Sequence, residues 1–333
     1  MGYGIDTLNS IRANASADYQ ARIPVATQEN ITAIGNALQA YTLAYNEFCE
    51  LLVNKIGKTL LESKLFKNKL ARFKKGTVLT QQDVEEIFIG MAKAEGSYNP
   101  AGPNPLGRRE LPDIKVIYHR QNRQDYYAIS IGDIDFIRVF RSEATFESFM
   151  AELINSVYSG AEYDEWVAMK ELLGSYDGYF DVQVPAITED VAAKTATKFV
   201  KTLRKIVQDL GFASEKHNKA GVKTWTKAED LVLLINKDVI AEIDVEVLAK
   251  AFNMGKTDIQ VEIIPMDDFG SLTDTYGLLV DKDFFRVWDT LSHMEPQRNA
   301  QGLFTNYFYH VHQILSLSTF KNAVRLTTKA VTE

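Results

Sequence analysis

Apolar residues recur at three- and four-residue steps in some stretches of this chain and alternate with polar ones in others, and the two periods divide it into helices and strands. Residues 28–66 carry Ile31, Ile34, Leu38, Tyr41, Tyr45, Phe48, Leu51, Leu52 and Ile56 on one face, with Gly57 as the expected break. From Ser142, a candidate N-cap, Phe146, Phe149, Met150, Leu153, Ile154, Val157, Tyr158 and Ala161 form a stripe that Trp166, Met169 and Leu173 carry on to Gly174. Unbroken, 143–173 predicts a rod of roughly 45 Å, suited to a broad, thin layer. A third helix is expected from Thr188 to Leu210, stopped by Gly211, and a fourth from Asp244 along Val247, Leu248, Ala251 and Phe252.

The two-residue period predicts strands at "IKVIYHR" (114–120) and "DYYAISIGDIDFIRVF" (125–140), joined by the turn "QNRQ". Further strands are expected at "YFDVQVP" (179–185), "DLVLLI", "DIQVEIIP" up to Pro265, "YGLLVDK" and, beyond a turn at Pro296, "LFTNYFYHVHQILSLS" and "FKNAVRLTT". "TQQDVEEIFIGMAKAEG" fits helix or strand. Residues 1–27 hold no sustained period and read as an extended arm with little core of its own. "GSYNPAGPNPLGRRELPD" (96–113) has four prolines and three glycines, which predicts an exposed loop.

Composition narrows the class. At 333 residues the chain exceeds what one core supports, so two domains, or one with long extensions, are expected. With 46 % apolar and 24 % charged residues it is globular, and its net charge of −7 argues against a free-standing nucleic-acid binder. The single cysteine, Cys49, rules out a disulfide within the chain, fits a reducing cytoplasm, and sits on an apolar helical face as a small buried hydrophobe. The first residues lack a signal-peptide pattern, and no run of 18 apolar residues predicts a membrane span. The glycosylation patterns at Asn14 and Asn30 are read as chance.

Candidate chemistry is sparse. Phosphate-loop, nucleophile-elbow, zinc-protease and dinucleotide motifs are all missing, so neither an enzyme nor a cofactor is expected. His310 and His312 share a strand face but lack local partners for a metal, and strand packing accounts for them. The carboxylate pairs Asp164–Glu165 and Asp267–Asp268 read as solvated turns. "YHRQNRQDYY" mixes arginine with tyrosine, a composition that favours protein contact over nucleic acid in an acidic chain. The most basic segment is 66–79, with Lys67, Lys69, Arg72, Lys74 and Lys75.

Taken in order, "NKLARFKKGTVL", "DVEEIFIGMAKAEGSYNP", "VIYHRQNRQDYYAISI", "NSVYSGAEYDEW", "FDVQVP", "DLVLLINKDVIAEIDVEVLAKAFN" and "TNYFYHVHQILSLSTFKNAV" resemble the major capsid proteins of small short-tailed bacteriophages, from about residue 50 onward. The resemblance implies an α+β capsid fold of the Hong Kong ninety-seven phage type. Its parts would be an N-terminal arm and first helix (1–55), an extended hairpin region or E-loop (56–140), a spine helix with peripheral domain (141–185), an axial domain (186–300) and a return to the peripheral domain (301–333). It also implies a virion protein, made in the bacterial host cytoplasm, that self-assembles into pentamers and hexamers of an icosahedral or prolate head around double-stranded DNA. Scaffolding protein and portal would be partners, DNA would be contacted non-specifically at most, and no membrane is involved.

On that basis Lys74, Lys75, Arg108, Arg109, Arg120 and Arg123 are candidate contacts for Glu162, Asp164 and Glu165 of a neighbour, which predicts a salt-sensitive assembly step. Some shells of this fold carry a Lys–Asn crosslink with a glutamate as base. No local motif places such a trio here, lysines near 74 being no more than candidates, and no crosslink is expected. The short N-terminal region leaves no obvious cleaved scaffolding domain, so a separate scaffold is expected. Three alternatives stay open: an encapsulin-like compartment, an enzyme with a dispersed site, and a nucleic-acid binder using 118–127.

Overall fold

A computed structural model of the chain describes residues 3–56, 66–79, 82–92, 112–133, 140, 143–186, 192–242 and 261–330. Its elements in chain order are α1 (Tyr3–Asn14), α2 (Ala17–Arg22), α3 (Ile31–Ala40), α4 (Thr42–Ile56), β1 (Lys74–Thr77), β2 (Val84–Ile89), β3 (Ile114–His119) and β4 (Arg123–Gly132). There follow α5 (Glu143–Ser175), β5 (Phe180–Gln183), α6 (Ala192–Leu210), β6 (Leu231–Asn236), α7 (Lys237–Glu242), β7 (Glu262–Met266), β8 (Thr275–Asp281), β9 (Phe285–Asn299), β10 (Phe304–Leu317) and β11 (Ala323–Thr327).

The N-terminal segment is not extended. Ile5, Leu8 and Ile11 lie on one face of α1 and are buried, as are Tyr19, Ile23 and Ala26 beyond it. Side chains close the segment on itself. Asn9 both accepts from the Ala26 N–H (2.7 Å) and donates to its carbonyl (3.1 Å), and Arg12 donates to the carbonyls of Ile23 and Gln20. Ser16 caps α2 by accepting from the Tyr19 N–H. The expected helix over 28–66 is two helices, because Tyr41 takes an extended conformation between α3 and α4.

α1–α4 cover one face of a four-stranded sheet in the order β1-β9-β10-β4. Tyr307, Tyr309 and Val311 of β10 point into this first core, where they meet Ile131 of β4 and Val157 and Ala161 of α5. Two expectations fail in this sheet. Residues 285–299, unassigned from sequence, form a 15-residue strand. Pro296 lies inside it, opposite Tyr307, where among the described residues β9 has no second strand neighbour needing a proline N–H. A bulge between His312 and Gln313 in the pairing with β9 lets Asp289 pair with Gln313 and point inward.

The second sheet has the order β5-β11-β8-β6-β7. It explains why β6 reads as a continuous apolar run. Leu231, Leu233 and Ile235 pack on Phe199, Leu203 and Leu210 of α6, while Val232 and Leu234 pack on Trp166, Met169 and Leu173 of α5. Both faces are covered, so alternation gives no polar side. β7 continues through Pro265, paired with Ile235, rather than ending there; as an edge strand it can spare that donor. β11 joins this sheet and not that of β10, from which it follows directly. Within the ambiguous segment at 80–96, Val84–Ile89 form a strand, β2, and the break after β6 is the short helix α7.

α5 spans 33 residues, about 50 Å at 1.5 Å per residue, and links the two sheets. Thr80, Ser142, Thr188, the helix expected from Asp244 and most of the proline-rich loop lie outside the described residues.

Candidate functional site

β2 and β3 form a separate two-stranded ribbon whose faces differ sharply in chemistry. Register sets Glu86 opposite Ile117, Phe88 opposite Lys115 and Val84 opposite His119 on the face turned to the body. There the Glu86 carboxylate accepts from Arg286 (2.5 Å) and Ser318 (2.9 Å) and meets His119 Nε2 at 3.1 Å. His119 Nδ1 lies 2.8 Å from Ser316 Oγ, Phe88 sits against Phe320, and Lys115 donates to the Ala220 carbonyl. Burial would raise the Glu86 pKa, but His119, Arg286 and Ser318 outweigh it and lower it to about 2. Ser316, His119 and Glu86 stand in the order of a nucleophilic triad. The His119 side chain is fully buried beside Trp288, so the set clasps the ribbon and presents no nucleophile.

The outer face pairs Ile87 with Val116, Ile89 with Ile114 and Glu85 with Tyr118. Ile87, Ile89, Ile114, Val116 and Tyr118 are all between 42 and 64 % exposed, and Met91 extends the row. These side chains form an apolar row on the face of the ribbon turned away from the body.

At the waist of α5, where its apolar side passes from the first core to the other sheet, Glu165 is buried. Its carboxylate accepts from Lys74 Nζ (2.7 Å), Gln313 Nε2 (2.5 Å) and Asn68 Nδ2 (2.7 Å). Lys74 also pairs with Asp289 at 3.2 Å. Burial works against the Lys74 charge, but Glu165 and Asp289 prevail and raise its pKa above the ordinary lysine value. Glu162 accepts from the Asn68 N–H, and burial raises its pKa. Arg123 donates to Asp125, Gln313 and Tyr127, and the Tyr127 hydroxyl donates to Asp164 at 2.9 Å.

The structure thus gathers five of the sequence-predicted residues, Lys74, Arg123, Glu162, Asp164 and Glu165, into one network inside a single subunit. Lys75 pairs with Asp283 and Arg120 with Asp83, again within the chain. Arg108 and Arg109 lie outside the described residues. Asn68, Asp289 and Gln313, and the clasp residues Glu86, His119 and Arg286, escaped sequence reasoning. No local pattern marks them, because their partners lie tens to hundreds of residues away.

Lys74, Asn68 and Glu165 also form a lysine–asparagine–glutamate trio about one carboxylate. Its charge state opposes amide formation: an ammonium held by two carboxylates has no free lone pair with which to attack the Asn68 side chain. Asp267 and Asp268, expected to be merely solvated, both accept from Lys170 at 2.8 Å. His310 and His312 lie half-buried on the sheet face away from the helices, His310 beside Tyr126. Cys49 is buried, which pushes its thiol up to about 11. Among the described residues no group of three or more His, Cys, Asp or Glu could hold a metal, and no helix is long and apolar enough to cross a membrane.

Residues 8–327 match the family model described as Phi29-like phage major capsid protein. The chain is 36 % identical over 326 residues to the major capsid protein of Bacillus phage B103, covering 97 % of this chain and 72 % of that one. The major capsid protein of Streptococcus phage Cp-1 is 30 % identical over 339 residues, with 96 and 92 % covered. Among solved structures, the capsid of Staphylococcus phage Andhra superposes with a TM-score of 0.65 at 13 % identity, covering 82 % of this chain and 87 % of that one. The mature capsid of bacteriophage PhiM1 gives 0.54 at 7 % identity, covering 82 and 91 %. These two likenesses concern the fold alone.

Proposed function

Starting from the premise that this chain belongs to the family of Phi29-like phage major capsid proteins, we propose that its copies close into pentamers and hexamers through the outer face of the β2–β3 ribbon. It is a structural protein of the virion shell, not an enzyme, and it has the Hong Kong ninety-seven type of capsid fold.

The ribbon is the E-loop of this reading, α5 the spine helix, and the five-stranded sheet with α6 the heart of the axial domain, which on this reading takes in β5 and β11 from outside 186–300. β9 is counted with the peripheral sheet, since it lies between β1 and β10. Residues 1–55 take the place of the N-terminal arm, here folded on the peripheral sheet. A repeated heterologous contact closes into rings when its rotation allows. The observation that carries the reading is the ribbon's division of labour: an ionic clasp holds one face to the body, while the opposite face leaves five large apolar side chains exposed. A separate scaffolding protein, a portal and non-specifically contacted double-stranded DNA complete the proposed set of partners.

Electron microscopy of the overexpressed protein, with and without a co-expressed scaffold, tests this. Shells are expected from the wild-type chain, and Ile89→Lys with Val116→Lys should abolish them while leaving the melting temperature unchanged. A wild-type chain that stays monomeric under all conditions and is stabilised by a small ligand would overturn the reading in favour of an enzyme.

A further inference from the structure

β5 lies at an edge of the five-stranded sheet. It pairs with β11 on one side and, among the described residues, with no strand on the other. An open edge offers its backbone donors and acceptors to an incoming extended chain. Beside it, between β5 and the C-terminal half of α6, runs a groove of about 900 Å³. Phe180, Val182, Ile206 and Phe212 give it apolar walls, and the Phe212 ring is 75 % exposed.

Positive charge collects around this groove. Residues 192–227 hold nine lysines and arginines against two acids, Asp209 and Glu215, in a chain whose net charge is −7. Lys219 and Lys227 are taken up by Asp177 and Glu229. Lys198, Lys201, Lys205 and Lys216 are exposed and, among the described residues, form no ion pair. Lys205 and Lys216 line the groove itself, and Lys198 lies two turns of α6 before Lys205 on the same side. Of the two acids in the lining, Asp181 is offset by Arg325 at 3.8 Å, which leaves Asp209 against the two lysines.

We propose that this groove receives an extended acidic segment of a separate partner protein, added as a further strand on the open edge of β5. The two-residue period of a strand sends alternate side chains to one side, so carboxylates at every second position can meet Lys205, Lys216 and Lys198 while the main chain pairs with Phe180–Gln183. Apolar residues of the same segment find Phe212, Phe180 and Ile206. A nucleic acid fits less well. Its backbone carries a charge at every nucleotide and would meet Asp209 and Asp181, and it has no use for an open strand edge. The surface is distinct from the outer face of the β2–β3 ribbon, so it stands whether or not that face closes the rings.

The test uses the whole chain as unassembled subunit and a labelled peptide of about eight residues in which glutamate alternates with valine. It should bind, and hydrogen exchange of the Phe180–Gln183 amides should slow. The same peptide with lysine for glutamate should not bind. Of two versions methylated at the odd or the even backbone nitrogens, one should lose binding, because only one row of amides faces β5. Lys205→Glu combined with Lys216→Glu should weaken the glutamate peptide about tenfold or more and admit the lysine peptide. Both positions are exposed, so the melting temperature should hold; should that variant fail to fold, the peptide series on the wild-type chain decides alone. A glutamate peptide that does not bind, that binds no better than the lysine one, or that tolerates both methylations overturns the proposal. So does a short DNA duplex that protects the same amides in its place. Amides of β5 that are already slow in assembled shells, before any peptide is added, would show that a neighbouring copy fills the groove, and the partner is then ruled out.

Discussion

Lys74, at the root of the ribbon, and Glu165, at the waist of the 33-residue helix, meet at 2.7 Å inside one subunit. The pair ties β1 to α5 where the two halves of the molecule join. Lys74 retains 20 % side-chain exposure and Glu165 only 4 %, so the carboxylate depends on its partners.

Removing one partner should therefore cost more than removing both. Glu165→Ala leaves Lys74, Asn68 and Gln313 facing an empty site and should destabilise the fold by about 3 kcal/mol. Lys74→Met combined with Glu165→Leu should recover much of that loss. Urea unfolding of the two variants against wild type measures the difference.

The ribbon clasp should make stability depend on pH at the acid end. Glu86 ionises at about 2 in the folded protein instead of the ordinary 4.5. A lowered carboxylate pKa stabilises above the unfolded value, and that stability is lost as pH falls through the folded value. The unfolding free energy from urea titrations should thus fall between pH 4.5 and 2, by an amount on the order of 3 kcal/mol at most. Glu86→Gln should be less stable at neutral pH and flatter across this window.

No amide should form between Lys74 and Asn68. Intact mass should equal that of the chain with no ammonia lost. Loss of one ammonia from the 68–74 region would show that the ammonium gives up its proton despite Glu165 and Asp289.

Gly277 in β8 has no room for a side chain. A Cβ there would stand 2.8 Å from the Leu234 carbonyl on the paired strand β6. Gly277→Ala should cost roughly 1–3 kcal/mol, read as a lower melting temperature, because backbone must shift to admit the methyl group.

Shell assembly should weaken as salt rises from about 0.1 to 1 M, where the screening length shrinks from roughly 10 to 3 Å. The subunit's melting temperature should move far less, since Glu165 and Asn68 are shielded from solvent within the chain.

Helices α5 and α6 and the strands β3, β4 and β10 were legible because each repeats its own period over enough residues, and β6 and β8 because each is a short apolar run rich in strand formers. The stop at Gly211 and the burial of Cys49 were legible too, from local composition. α1 was not: Ile5, Leu8 and Ile11 are a face of only three residues, and it takes the sheet beneath to make them a helix's inner side. β9 was hidden by Pro296 and by the polar run around His293, which only pairing with β10 turns into a strand.

The order of the amino acids, by itself, determined helix or strand where a pattern runs long enough, and that the apolar faces need covering, because those demands act between near neighbours along the chain. Tertiary structure alone decided that Lys74, Arg123 and Glu165 satisfy one another within a subunit, and that the ribbon turns Glu86 inward and Ile87 outward. Charge pairing and burial act between residues brought together through space, and a carboxylate leaves water only where the folded chain has already assembled its donors.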